Sequence, residues 1–479
     1  MATTYKTPGV YVEEVSVFPP SVAQVETAIP AFIGYTEKAK NVKDDDLLLV
    51  PKRITSLKEY EQYFGKAFAE AVSVNIAETL DSGGSVETRT VEISSSFSVK
   101  FFMYYQLQMY FANGGGPCYI TSVGKYSEAP NAGKLYNQAV KGLAEVEAKD
   151  EPTLIVFTDT PTMSKDNHNL LMGAAIAQSG KLMDRIALVD VIRDDAKTVV
   201  EDMAAFRSAT QIGTNKLSYG AAYYPPLNTS LTPYFEDSDV TLAVAVGSST
   251  TTLSHDTNKL DSVQTADESL YRIIKNEMDV AIQEHQMTLY PSGAVAGVYA
   301  TVDANRGVWK APANVSLSYV NALSVNVTND DQGVMNVDPG SGKSVNAIRG
   351  FTGKGIIVWG ARTLAGNDNE WRYVPVRRFF NMVEESVKKA TGTFVFEPND
   401  ANTWVKVKAM IDNYLTLQWR EGALAGAKPE HAFFVKVGLG ETMSAQDILE
   451  GRMIVEIGMA AVRPAEFIIL RFSHMMQQS

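Results

Sequence analysis

The 479-residue chain holds a single cysteine, Cys118. It therefore has no internal disulfide framework and no cysteine-built zinc site, and a reducing compartment fits it best. Basic residues are also in deficit, with 43 Lys and Arg against 55 Asp and Glu and a net charge of −12. A dedicated nucleic-acid binder needs a basic face for phosphate, so no nucleic-acid partner is expected. Long apolar runs are missing, and none approaches the roughly 18 residues needed to span a bilayer. The opening MATTYKTPGVYVEE has neither the basic segment nor the apolar core of a signal peptide. A soluble chain with no direct membrane insertion is expected.

Signatures of chemistry are equally sparse. The five histidines, at 168, 255, 285, 431 and 474, show no HxxxH or HExxH spacing, and there is no GxSxG elbow. The run GSGKS at 340–344 resembles the end of a P-loop, but Val337 stands where that motif needs its first glycine, so a flexible turn is expected. NGGGP at 113–117 follows an aromatic-rich helical run and precedes CYI, which reads as a helix stop leading into a strand. No catalytic residue, cofactor or metal is expected, and the chain does not read as an enzyme.

What is present is the composition of a folded protein, 45% hydrophobic and 20% charged, long enough for about three domains. Residues 1–28 read as an extended arm, because Pro8, Pro19 and Pro20 break helices while Val10, Val12, Val15 and Val17 favour β structure. IPAFIG (29–34) predicts a buried strand, and Ser56 caps a helix carrying Leu57, Tyr60, Phe64 and Phe68 on one face. The apolar runs 153–160 and 185–192, separated by a helical stretch from His168 to Gly180, form a βαβ pattern that predicts a parallel sheet. A further strand is expected near Leu217–Tyr224 and a helix near Leu270–Glu284.

Residues 40–100, 228–268 and 317–343 are polar and read as surface insertions, with an exposed hairpin over 81–100. All five tryptophans follow residue 300, which suggests a separately packed C-terminal core and a boundary near residue 360. Beyond it, Phe379, Val383 and Val387 mark one helix. Val405, Ala409, Asp412, Leu415 and Trp419 mark one face of a second, capped by Asn402 or Thr403. Strands are expected at 432–437, 452–458 and, as a near-continuous apolar run, at 464–473. Arg377, Arg378, Lys388 and Lys389 form a basic group on one helix of this acidic chain, readable as a docking patch for an acidic partner.

The motifs TPGVYVEE (7–14), IPAFIGYT (29–36), YFANGGGPCYI (110–120), RGVWKAPAN (306–314) and WGARTL (359–364) resemble those of contractile tail sheath proteins. The C-terminal third resembles them further in WRYVPVRRFFNMVEES (371–386), FEPND (396–400), EGALAGAKPEHAFFVKV (421–437) and VRPAEFIILRF (462–472). The resemblance implies a structural subunit of a phage tail or phage-like contractile injection system. Such subunits assemble in the bacterial cytoplasm as six-membered rings, stacked into a helical sleeve around an inner tube protein, with baseplate and tail terminator or cap proteins as further partners.

The implied fold is α/β, α+β overall, with a central subtilisin-like domain that has no peptidase function over residues 29–360. An α+β domain over 361–479 is implied to have its sheet completed by strands from neighbouring subunits. By that analogy Val10, Tyr11, Val12, Val15 and Val17 form one exchanged strand, and Phe467, Ile468, Ile469, Leu470 and Phe472 the other. Phe433, Val435, Ile454, Val455 and Ile457 lie on the acceptor strands, and Arg377, Arg378, Lys388 and Lys389 meet the tube. Strands exported to different neighbours make heterologous contacts, which build open helical assemblies able to contract without nucleotide. The competing expectations are a closed-ring tail tube or baseplate subunit and a subtilisin-fold hydrolase.

Overall fold

The computed structural model describes residues 21–83, 86–93, 99–128, 132–246, 249–251, 259–284 and 287–470. The exchanged-strand residues Val10, Tyr11, Val12, Val15, Val17 and Phe472 lie outside them. The chain divides into two compact units. One comprises Met1–Val25 with Val383–Val462, the other Glu26–Met382 with Arg463–Ser479.

The larger unit is built on a nine-stranded mixed sheet. In chain order its strands are β1 (Pro30–Thr36), β2 (Lys52–Ile54), β3 (Cys118–Lys125), β4 (Leu154–Phe157), β5 (Ile186–Asp190), β6 (Gly220–Tyr224), β7 (Val315–Ser316), β8 (Val345–Phe351) and β9 (Gly355–Val358). Their order across the sheet is β7-β9-β8-β6-β5-β4-β1-β3-β2. The strands from β8 to β3 pair in parallel, while β2, β9 and β7 close the two edges antiparallel.

Side chains alternate between the two faces along each strand. Phe32, Leu154, Val156, Ile186 and Leu188 enter one core, and Ala31, Ile33, Ile155, Phe157, Ala187 and Val189 the other. Helices Met103–Ala112 and Ser292–Arg306 cover the first face. Ala132–Glu147, Lys165–Leu182 and Val199–Ser208 cover the second. Burial on both faces is why these strands read as continuous apolar runs. The expected βαβ unit is β4, α1 (Lys165–Leu182, capped by Ser164) and β5. NGGGP is the expected helix stop: the helix ends at Ala112, Gly114 sits at φ +90°, and β3 starts at Cys118.

The polar segments are more ordered than the sequence suggests. Strands Val72–Leu80 and Val86–Ile93 form a hairpin, but Val240–Val246 joins it in parallel, with Val240 opposite Val72 and Leu242 opposite Val74. Val72, Val74, Ile76, Val240, Leu242, Leu260, Ile274 and Met278 make a separate small core beneath Leu260–Ala266 and Glu268–Glu284. In the third segment Val320–Leu323 joins a three-stranded sheet, and Met335 of helix Asn329–Asn336 is fully buried. The GSGKS turn is fixed. Asp338 accepts from Ser341 N at 2.8 Å, and the buried Lys343 Nζ donates to the carbonyls of Arg207 and Ala209 at 3.3 and 3.4 Å.

The division between the units falls at Met382 and Val383, inside the helix Val374–Thr391, and not near residue 360. Residues before it pack on the large unit, where Leu364 N donates to Gly220 O and Val374 and Phe379 are fully buried. Trp309, Trp359 and Trp371 belong to that unit as well. The smaller unit contains helix Ala401–Arg420, capped by Asp400, which accepts from Thr403 N at 3.0 Å. Its buried face is Val407, Met410, Ile411, Tyr414, Leu415 and Gln418, and Val405 points to solvent. The face expected through Val405, Asp412 and Trp419 is therefore rotated from the observed one, with only Leu415 shared.

Candidate assembly surface

The smaller unit carries a two-stranded antiparallel sheet of β10 (Phe433–Lys436) and β11 (Glu456–Met459), with Phe433 opposite Met459 and Val435 opposite Ile457. Phe433, Val435 and Ile457 stand on these strands as expected. Ile454 and Val455 do not, because the strand begins only at Glu456, and Ile454 O instead accepts from Thr442 Oγ1 at 2.7 Å. Among the described residues each strand pairs only with the other, and two strands alone are marginal in water. The root of the N-terminal arm is tied to this same unit. Val25 N donates to Ser386 Oγ at 3.0 Å, and Gln418 Nε2 donates to Gln24 Oε1 at 3.0 Å.

The C-terminal segment, grouped with the larger unit, starts from a fixed point. The Glu466 carboxylate accepts from Arg362 Nε at 3.0 and 3.2 Å, Arg362 Nη2 at 2.6 Å, Asn336 Nδ2 at 3.0 Å and Tyr373 OH at 3.2 Å. Burial alone would raise this carboxyl, but the bonds from Arg362 and Asn336 outweigh it and hold it below the usual carboxylate range. Immediately beyond, Phe467, Ile468, Ile469 and Leu470 are 71%, 79%, 78% and 72% exposed and form no strand. Four consecutive large apolar side chains are thus left in water next to a firmly held carboxylate.

The basic group separates. Arg378 is buried against Asp303, with Nη1 to Oδ1 at 2.9 Å, and lies 4.6 Å from the Tyr299 ring. Arg377 is buried between Trp371 and Tyr219, 4.1 and 4.9 Å from their ring centres, with Nε donating to Asn381 Oδ1 at 2.7 Å. These two arginines hold the larger unit's interior and are not part of an exposed patch. Lys388 and Lys389 do reach solvent, 3.0 and 3.4 Å from the single Glu385 carboxylate.

An Asp, a Ser and a His do meet at the C-terminal end of β5, without the geometry of a nucleophile. The Asp190 carboxylate accepts from Ser292 N at 3.1 Å and Ser292 Oγ at 2.7 Å, while His168 Nε2 donates to the Asp190 carbonyl at 2.8 Å. All three are buried. Ser292 opens a helix, is buried and gives its hydroxyl proton to the Asp190 carboxylate, while the His168 ring bonds the Asp190 backbone, so the three do not form a Ser-His-Asp relay. Among the described residues no acidic, His or Cys group could hold a metal, and no helix is long and apolar enough to cross a membrane.

This cluster makes stability depend on pH. Burial pushes Asp190 up to about 7 and His168 down to about 4. The Asp190 contribution is complete below the unfolded carboxylate value of about 3.9 and is lost as pH rises through the folded value. His168 acts oppositely, contributing above about 6.5 and losing that contribution as pH falls. Asp190→Asn keeps the shape and removes one titration. The stability difference between wild type and D190N should therefore move in favour of wild type by about 1 kcal/mol from pH 8 to pH 6. Chemical denaturation at the two pH values checks this, and an unchanged difference contradicts it.

The helical sheath subunit of the anti-feeding prophage, solved in its contracted state, aligns over 98% of this chain and 99% of its own, at 32% identity and a TM-score of 0.63. The chain belongs to the contractile tail sheath family. A chain of the anti-feeding prophage baseplate matches at 32% identity over 99% of this chain and 100% of that one, with a TM-score of 0.63. The contracted sheath of the PVC extracellular contractile injection system matches at 28% identity over 99% of both chains, also at 0.63. The phage tail sheath C-terminal domain profile matches residues 366–474. The tail sheath protein of Vibrio phage KVP40 is 28% identical over 128 residues, 26% of this chain but only 18% of the phage protein's length. Sheath proteins are structural and not enzymes.

Proposed function

We propose that the chain polymerises into a helical, contractile sleeve around an inner tube in a phage-like particle, and that strands exchanged between copies link it. The exposed Phe467–Leu470 segment, leaving its own subunit at the Arg362–Glu466 pair, carries this reading. A strand there would bury Phe467 and Ile469 on one face and Ile468 and Leu470 on the other. The unpaired edges of β10 and β11 in a neighbour supply the acceptor. The N-terminal strand through Val10, Tyr11, Val12, Val15 and Val17 is the second link, rooted at Gln24 and Val25.

In this reading the doubly covered parallel sheet is a subtilisin-like frame without subtilisin chemistry, and contraction releases free energy stored at assembly with no nucleotide. Lys388 and Lys389 provide the tube contact, while Arg377 and Arg378 have no part in it. The equal likeness to an anti-feeding prophage baseplate chain makes a ring-forming subunit the second reading. Negative-stain microscopy of the chain, with and without its tube protein, separates the two. Long hollow tubes support the sheath, and discrete rings at every concentration support the ring.

A further inference from the structure

We infer that Phe396 is a preformed apolar knob by which one copy of this chain seats on another. The inference rests on the sheath reading and adds to it a contact outside the terminal strands. Phe396 is fully exposed and its backbone sits at φ +71°. The left-handed region is costly for a bulky aromatic residue, and leaving its ring in water forfeits the gain from burying it.

The loop that imposes both penalties is held firmly. A 3₁₀ turn, Gly392–Phe394, leads in, with Phe394 buried. Val395 N donates to Gly392 O at 3.3 Å, and Glu397 N donates to Phe394 O at 3.1 Å. On the far side Asn399 Nδ2 donates to Arg452 O at 3.0 Å, Trp404 Nε1 donates to Asn399 Oδ1 at 2.7 Å, and Asp400 caps the following helix.

Strain of this kind persists where surrounding structure enforces it and is a feature of functional sites. A ring already fixed at a loop tip, with exposed Val395 beside it, pays little ordering cost on binding and suits an aromatic anchor. The chemistry favours a second copy over the tube. Permanent interfaces between copies are the more apolar class, and the full-length likeness of this chain is to a subunit of a helical sheath, which is built of copies.

Phe396→Asn tests this, because Asn tolerates the left-handed backbone. Phe396→Gly serves as the second variant. Each isolated variant should melt at or above the wild-type temperature. When F396N is coexpressed with an equal amount of wild type and the tube protein, it should be depleted from assembled sheath about tenfold or more relative to the unassembled pool. Incorporation at the input ratio overturns the knob alone. Normal incorporation with lost tube capture overturns it in favour of a tube contact. Failure of wild type itself to assemble contradicts the sheath reading and the knob together.

Discussion

Removing residues 467–479 should leave both compact units folded and abolish sheath assembly. Phe467, Ile468, Ile469 and Leu470 contribute almost nothing to their own subunit's core, each being more than 70% exposed. Their loss should change the unfolding free energy of the isolated chain by less than about 0.5 kcal/mol. The cost falls on the link. A short strand added to a sheet edge makes a handful of backbone hydrogen bonds worth about 1 kcal/mol each, together with burial of its apolar side chains at about 25 cal/mol per Å². Losing even about 4 kcal/mol of this weakens each contact about a thousandfold. Sedimentation of the truncated chain beside the full chain measures it, and polymer formation at the wild-type concentration would contradict the link.

Asp303→Ala should be among the most destabilising single changes in the larger unit, at about 3–5 kcal/mol. It strands the Arg378 guanidinium, buried beside Tyr299, without its carboxylate partner. Replacing both members, Asp303→Leu with Arg378→Met, should recover most of the loss, because it removes the buried charge altogether. Denaturant titration of the three variants decides. A D303A cost under about 1 kcal/mol would mean that the pair is not the buried brace described. The same series distinguishes a structural Arg378 from a tube-binding one, since the double variant should still capture tube.

The parts legible in the sequence were those whose signal is local. β1, β4 and β5 are continuous apolar runs because both faces of the sheet are covered. Ser56 and Gly114 do what their residue types favour, one as a helix cap and one at positive φ. Readings that depend on distant partners failed. Val72 and Val240 make one strand pair, far apart in the chain and each set among polar neighbours, so both read as surface. Arg377 and Arg378 looked exposed because Trp371, Tyr219 and Asp303, the groups that cover them, are brought by the fold and are not on the helix that carries them. Val405 suggested the wrong helix face because spacing alone fits more than one stripe, and packing chose the one through Val407 and Ile411. Phe396 stood out only as the first residue of the FEPND motif, and its backbone angle and exposure exist only in three dimensions.

The C-terminal run shows the same limit from the other side. Its apolar character was plain in VRPAEFIILRF, while the Arg362 and Asn336 bonds that hold Glu466 were not. Hydrogen exchange over residues 463–470, in the isolated chain and in assembled sheath, tests the central claim most directly. Exchange at 467–470 should be fast in the isolated chain and slowed at least about a hundredfold in the assembly, as backbone amides enter a neighbour's sheet. Equally fast exchange in a fully formed sheath would show that these residues do not become a strand, and that something other than strand exchange holds the sleeve together.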